Sequence, residues 1–173
     1  MEEMILGSGY LYVTEFTGTI PAGEIFEVDD NKLGYISGGC SIEYKPTFYE
    51  PKDDLGLISD QYLTAEDATL KSGVCTFTGN TLAKLCATAR VTEDTILKTR
   101  RTKFGGIAND NGKQYAIRFV HISGKRSVTI VGKNQAGFTL AFTKDKETVI
   151  DVEFKALSCD GEGTLIIYDE VTE

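Results

Sequence analysis

Few residues in this sequence have the chemical reach to act, and their spacing limits what they can do. His121 is the one histidine and sits inside the apolar run 115–122. An imidazole there reads as a hydrogen-bonded structural residue rather than a proton carrier. Cys40, Cys75, Cys86 and Cys159 are scattered, with no Cys-x-x-Cys pair, so no zinc or redox motif is spelled. The first three stand in apolar patterns and read as small buried residues; Cys159 falls in a turn and reads as exposed. No Gly-x-Ser-x-Gly is present to raise a serine nucleophile. Gly7-Ser8-Gly9 precedes a strand, not a helix, and so places no helix N-terminus on a phosphate. Asp29-Asp30 and Asp53-Asp54 lack the ligand spacing of a calcium loop and read as solvated turns. The expectation is a protein with no catalytic residues, no cofactor and no metal, hence not an enzyme.

What remains is charge. The run Lys98-Thr-Arg-Arg-Thr-Lys103 places Lys98, Arg100, Arg101 and Lys103 within six residues. Such a run can meet phosphates, but it has neither the interleaved aromatics of a single-strand groove nor a reading helix. Contact with an acidic protein surface is the stronger reading, and a solvated loop is the plain one. The chain carries a net charge of −8, unevenly placed. Residues 1–96 hold 6 basic and 16 acidic groups, residues 97–133 hold 9 and 1, and residues 134–173 hold 3 and 9. Either basic strands lie beside acidic ones within the subunit, or a basic patch on one copy meets an acidic patch on the next.

The elements that must carry these charges read as mostly β. The 173 residues suit one domain. No apolar run reaches the length of a membrane span. The N-terminal stretch Met1–Gly9 lacks the pattern of a signal peptide, so folding in a cytoplasm is expected. A first strand over 10–16 puts Tyr10, Tyr12 and Phe16 on one face and Leu11 and Val13 on the other, so neither face is fully solvated. Ile25, Phe26 and Val28 suggest a short strand. Residues 35–50 read as one long strand, and Pro46 marks it as an edge open to pairing with another chain. Residues 51–57 form a protruding loop. Residues 58–70 are ambiguous, with a helix-start look at Thr64–Asp67. A strand from Leu70 leads into one main helix, about 80–89, capped by Asn80, with Leu82, Leu85, Cys86 and Ala89 on one stripe. Thr92–Asp94 suggests one more capped turn, and residues 98–113 the longest, basic loop. Five strands then follow, at 115–122, 127–131, 138–143, 149–157 and 164–169, as an antiparallel meander with one face in a core.

Four stretches together resemble the major tail tube proteins of long-tailed phages and prophages, especially those with non-contractile tails. They are the strand Ile42-Glu-Tyr-Lys-Pro-Thr-Phe48, the segment Asp53-Asp-Leu-Gly56, the unit around Gly79-Asn-Thr-Leu82, and the C-terminal meander ending near Tyr168. The resemblance implies an antiparallel β-sandwich or split barrel with one flanking helix. It also implies six copies in a ring, rings stacked head to tail into a hollow tube, and a genome passing through without specific binding. The protein would be made in the bacterial host cytoplasm and end in the virion tail, bound to itself and to other tail proteins and to no membrane. The same fold serves the inner tubes of contractile tails and type VI secretion systems. On this reading the ring-stacking and subunit contacts fall on Lys52, Asp53, Asp54 and Leu55 and on Lys98, Arg100, Arg101 and Lys103. An interface of ordinary size covers roughly 800 Å² on each partner. The alternative is a monomeric β-sandwich binding module, for a glycan for instance, with Tyr35, Tyr49 and Tyr62 as its platform. The absence of Trp counts against it.

Overall fold

Strand β1 (Gly9–Glu15) is apolar on both sides, and both sides are covered. Leu11 and Val13 enter the main core, while Tyr12 enters a second cluster flanked by Tyr10 and Phe16. In the computed structural model, which describes residues 4–172, the other strands are β2 (Lys32–Gly34), β3 (Ile36–Tyr49), β4 (Tyr62–Val74), β5 (Arg90–Asp94), β6 (Thr99–Lys103), β7 (Tyr115–His121), β8 (Arg126–Asn134), β9 (Ile150–Leu157) and β10 (Ile167–Glu170). The main sheet runs β2-β1-β7-β8-β9-β4-β3, and each of its pairings is antiparallel. Beyond β7, strand β8 shares its other side between β10, over Arg126–Thr129, and β9, over Val131–Asn134.

The sheet closes on itself through one run of chain. β2 ends the strand order beside β1, β3 ends it beside β4, and Tyr35 alone separates them. Residues 32–49 therefore join both ends of the sheet and roll it into a split barrel. Gly34 permits the close approach this needs: its φ is +148°, and an added Cβ would collide with the Thr76 carbonyl oxygen. Tyr35 is held there from both sides. Its N–H donates to Thr76 Oγ1 at 2.7 Å, and its carbonyl accepts from the Cys75 N–H at 2.8 Å. A bulge at Gly38-Gly39, both at positive φ, re-aims the strand toward β4.

The barrel interior is apolar. Phe154 faces Leu70 across β9 and β4, and both are fully buried with Ile117, Ile130 and Ile150. One barrel end is covered by helix α2 (Gly79–Leu85), which adds Leu82 and Leu85 to this core. Its cap is Thr78, not Asn80. The Thr78 hydroxyl accepts from the Thr81 N–H at 3.5 Å, and Thr81 Oγ1 accepts from the Thr78 N–H at 3.2 Å, a reciprocal capping box. The helix is also shorter than the 80–89 expected. Cys86 is already extended, so Cys86 and Ala89 leave the stripe. Asn134 explains the stop, donating to the freed Leu85 carbonyl at 3.1 Å. Lys84 fastens the helix to the barrel by donating to the carbonyls of Val13 and Asp30 at 3.2 and 3.3 Å, and burial pushes its pKa down.

The outer face of β1, β7 and β8 is covered by a second small element. Ile25 and Phe26, expected with Val28 as a short strand, instead close helix α1 (Gly23–Phe26), and Val28 lies in the bend beyond it. Phe26 is fully buried beneath the Arg118 guanidinium, which lies 4.8 Å from its ring. Arg118 in turn donates to Thr129 Oγ1 at 2.9 Å and to Glu27 Oε1 at 3.2 Å. A buried guanidinium needs such partners, and their positions place α1 on the sheet.

Four further expectations change. Of the ambiguous stretch 58–70, residues 62–70 belong to β4, because β3 offers them a ladder from Tyr62 on, while 58–61 lie in the turn before it. Thr92–Asp94 caps no helix; it is the end of β5. The basic run is not a loop but β6, paired with β5 in a two-stranded ribbon, and only then does the chain loop through a short 3-10 turn at Ile107–Asn109. Residues 138–143 form no strand and join no ladder. Phe138 and Leu140 pack on the core without a ladder.

Candidate assembly interface

The pairing of β3 with β4 outlasts the barrel. β9 pairs with β4 only from Thr69 to Val74, whereas β3 follows β4 out to Tyr62. From about Glu43 to Leu63 the two strands form an arm with solvent on both faces. The apolar file that lines the barrel, Ile42 with Leu70 and Ala68, does not stop there. It continues along the arm as Tyr44, Phe48 and Leu63, each about half exposed, with Phe48 and Leu63 opposite one another. Pro46 and Glu66 stand opposite one another between these residues, and exposed apolar side chains grouped in this way are a mark of an interaction surface. Tyr44 keeps its polar end satisfied, its hydroxyl donating to Glu66 Oε1.

The arm's tip holds four of the residues singled out from sequence. Lys52 bridges to Ser59 and closes the tip. The Asp53 carboxylate accepts from the Ile58 N–H at 2.7 Å and the Leu55 N–H at 3.3 Å, which shapes the turn. Asp54 and Leu55 point outward, and Leu55 and Leu57 are 79% and 80% exposed. The Ile58 N–H above all holds the Asp53 carboxyl below the usual carboxylate range. For a depressed carboxylate the linked order of the turn is complete above the unfolded value, about 3.9, and is lost as pH falls through the lower folded value. We expect NMR titration to place the Asp53 carboxyl below its unfolded reference, with the Ile58 amide shift moving in step. Titration at or above that reference would show that the two hydrogen bonds do not form in solution.

The other four residues lie on the β5–β6 ribbon and do not act as one patch. Lys98 sits in the turn at φ +50°, stabilised by the Asp94 carboxylate accepting from the Ile96 and Leu97 N–H groups at 2.9 Å each. Arg100 faces inward: it lies beside Gly79 of α2 and pairs with Glu93 at 2.6 Å. Arg101 and Lys103 alternate to the outer face. Lys103 stands directly across from Arg90, so three cations share that face.

The arm and the ribbon lie at opposite ends of the barrel. β4 runs from the arm at Tyr62 to Val74, and α2, with the ribbon packed on it, follows that far end. The 13 residues of β4 span about 40 Å at the rise of a strand. The sites expected from sequence are therefore one at each pole. Tyr49 and Tyr62 pair on the arm, while Tyr35 lies at the opposite pole beside Lys32, so the three tyrosines do not form one platform.

No protein-family model matches this chain, and no curated protein matches it. Solved structures do. The tube-terminating cap of the anti-feeding prophage aligns with 99% of this chain and 95% of its own, at 12% identity and a TM-score of 0.53. This chain has the fold of that cap. A chain of the sheath-tube complex of an extracellular contractile injection system, PVC in its extended state, aligns over 98% and 94% at 13% identity and a TM-score of 0.49. The likeness that carries weight is thus to a cap that ends a tube, where the sequence pointed to a major tail tube protein.

Sequence reading missed Tyr44, Phe48 and Leu63 as surface residues. The alternation Cys40, Ile42, Tyr44, Phe48 marks one face of a strand, but periodicity is silent on where the covering layer ends. That the β9–β4 ladder ends at Thr69, opposite Glu43 and short of the bulge at Thr47 and Phe48, is a tertiary fact. The four cysteines are half-buried and unpaired, and burial pushes the Cys40 thiol up to about 12, so it is inert at neutral pH.

Proposed function

We propose that this chain is a structural subunit of a phage-tail-like tube, or of the cap that closes one, and that it works by associating with further copies of itself in rings. The apolar file on the arm carries this reading: a barrel that continues its core pattern into solvent is built to be completed by another subunit. The full-length likeness to a tube-terminating cap supports it. So does the bipolar shape, because stacking head to tail requires two different surfaces on one subunit. Six copies per ring, and a channel passing a genome, follow from the tail-tube resemblance. The protein would then reside in a virion or an extracellular particle, alongside other tail proteins. The proposal assigns the chain no enzymatic role.

The test is mass as a function of concentration, by light scattering from micromolar to millimolar protein, followed by negative-stain imaging. Growth in mass with rings or tubes in the images is the expected result. A constant monomer mass over that range, with no closed rings, would overturn self-assembly.

A further inference from the structure

We infer that the outer face of the β5–β6 ribbon is the docking surface for the β3–β4 arm of a second copy, so that subunits join pole to pole through an acidic arm and a basic ribbon. This rests on the self-association proposed above and adds which surfaces meet.

The charge of the two elements is opposite. Residues 43–67, the arm, contain 7 acidic and 2 basic groups; residues 90–103, the ribbon, contain 5 basic and 2 acidic. On the ribbon, the inward face is already neutralised, since Glu93 pairs with Arg100 beside α2. The second ribbon carboxylate, Asp94, is engaged with turn N–H groups. The outer face is left with Arg90, Arg101 and Lys103. Among the described residues Arg101 and Lys103 make no ion pair, and Arg90 spends its guanidinium on the Gly105 carbonyl at 3.1 Å. Arg90 opposite Lys103 is a like-charge pair across a ladder, which costs stability in an isolated ribbon. An anionic partner converts that cost into attraction.

The partner cannot be the chain's own arm, which leaves from the other barrel pole about 40 Å away along β4. The arm of another copy fits in charge and in kind. Its tip carries Asp54 and Asp60 with the exposed Leu55, Leu57 and Ile58, and the ribbon's turn carries the exposed Ile96 and Leu97. Each element thus combines an apolar tip with flanking charges of opposite sign. A contact between two different surfaces is heterologous and propagates, giving a stack with a defined direction.

The experiment uses two reversed variants of the full chain. One is Arg101→Glu with Lys103→Glu; the other is Asp54→Lys with Asp60→Lys. All four positions are exposed, and circular dichroism with thermal melts checks that both variants fold as wild type. Each variant alone is expected to need about 100-fold more protein than wild type to assemble, from like-charge juxtaposition. An equimolar mixture is expected to recover wild-type assembly, because every reversed ribbon then meets a reversed arm and every native ribbon a native arm. Added salt should weaken wild-type assembly. Variants that assemble as wild type does, or a mixture that fails to recover, would overturn this pairing while leaving self-association standing. A wild-type chain that never self-associates would overturn the underlying reading instead.

Discussion

Replacing Phe154 with Ala is expected to lower the unfolding free energy by about 3–5 kcal/mol, measured from the shift of the urea midpoint at constant slope. Phe154 is fully buried on β9, opposite Leu70 of β4 and opposite Asn134 of β8. Those are the two strands that β9 holds together. Truncation removes the transfer free energy of the ring and leaves a cavity that a closed barrel cannot collapse, because its strands are fixed on both sides. Domains of this size have about 5–15 kcal/mol in total, so the variant stands close to the threshold of folding. A loss under about 1 kcal/mol would show that the barrel relaxes around the gap, contrary to the closure through residues 32–49.

The second large effect is on assembly, with the fold spared. Phe48→Ser together with Leu63→Ser removes the outer part of the apolar file on the arm. Both side chains are half exposed in the single subunit, so the melt should move by no more than about 1 kcal/mol. If another subunit covers them, the exposed halves represent about 2–3 kcal/mol per contact, which is roughly 30- to 150-fold in the concentration at which assembly begins. Light scattering on the folded double variant reads that shift directly. Unchanged onset would place the self-contact elsewhere on the surface and remove the arm from it.

The proposed association through the arm and the rigidity of the barrel would thus be separable properties of one strand pair. β4 contributes Leu70, Ala68 and Val74 to the interior and, a few residues earlier, Leu63 to the arm. The transition comes where the ladder of β9 with β4 ends, at Thr69. An edge strand is normally shielded by charge, proline or brevity. Here Pro46 interrupts one side of the arm's ladder, and acidic groups flank the apolar file. Both devices disfavour indiscriminate strand pairing along this edge.

Much of the architecture was legible in the amino-acid sequence because it rests on local physics. Period-two alternation placed β1, β3, β7, β8 and β9 within a few residues. The two apolar faces of β1 were read correctly from Tyr10–Phe16 alone, and both prove to be covered. Pro46 identified an edge, and β3 does end the strand order. The single main helix and the protruding tip near Asp53 were visible from the stripe at Leu82 and Leu85 and from the turn residues. By contrast, the ribbon β5–β6 has no core-facing apolar file; its inward face is Arg100 and Thr102 against α2, so its strands carry no hydrophobic period to read. Residues 138–143 carry that period but join no ladder, and Phe138 and Leu140 pack on the core as irregular chain. The helix cap moved from Asn80 to Thr78 because the reciprocal bond with Thr81 outweighs a lone amide cap. Tertiary structure alone decided which charges face outward, since a cross-strand register divides Arg100 from Arg101 and Lys103. It alone decided that the acidic arm and the basic ribbon stand at opposite poles, because that depends on the length and direction of β4. And it alone exposed Tyr44, Phe48 and Leu63: a strand's sequence specifies its apolar face, while its neighbours determine how much of that face is left in water.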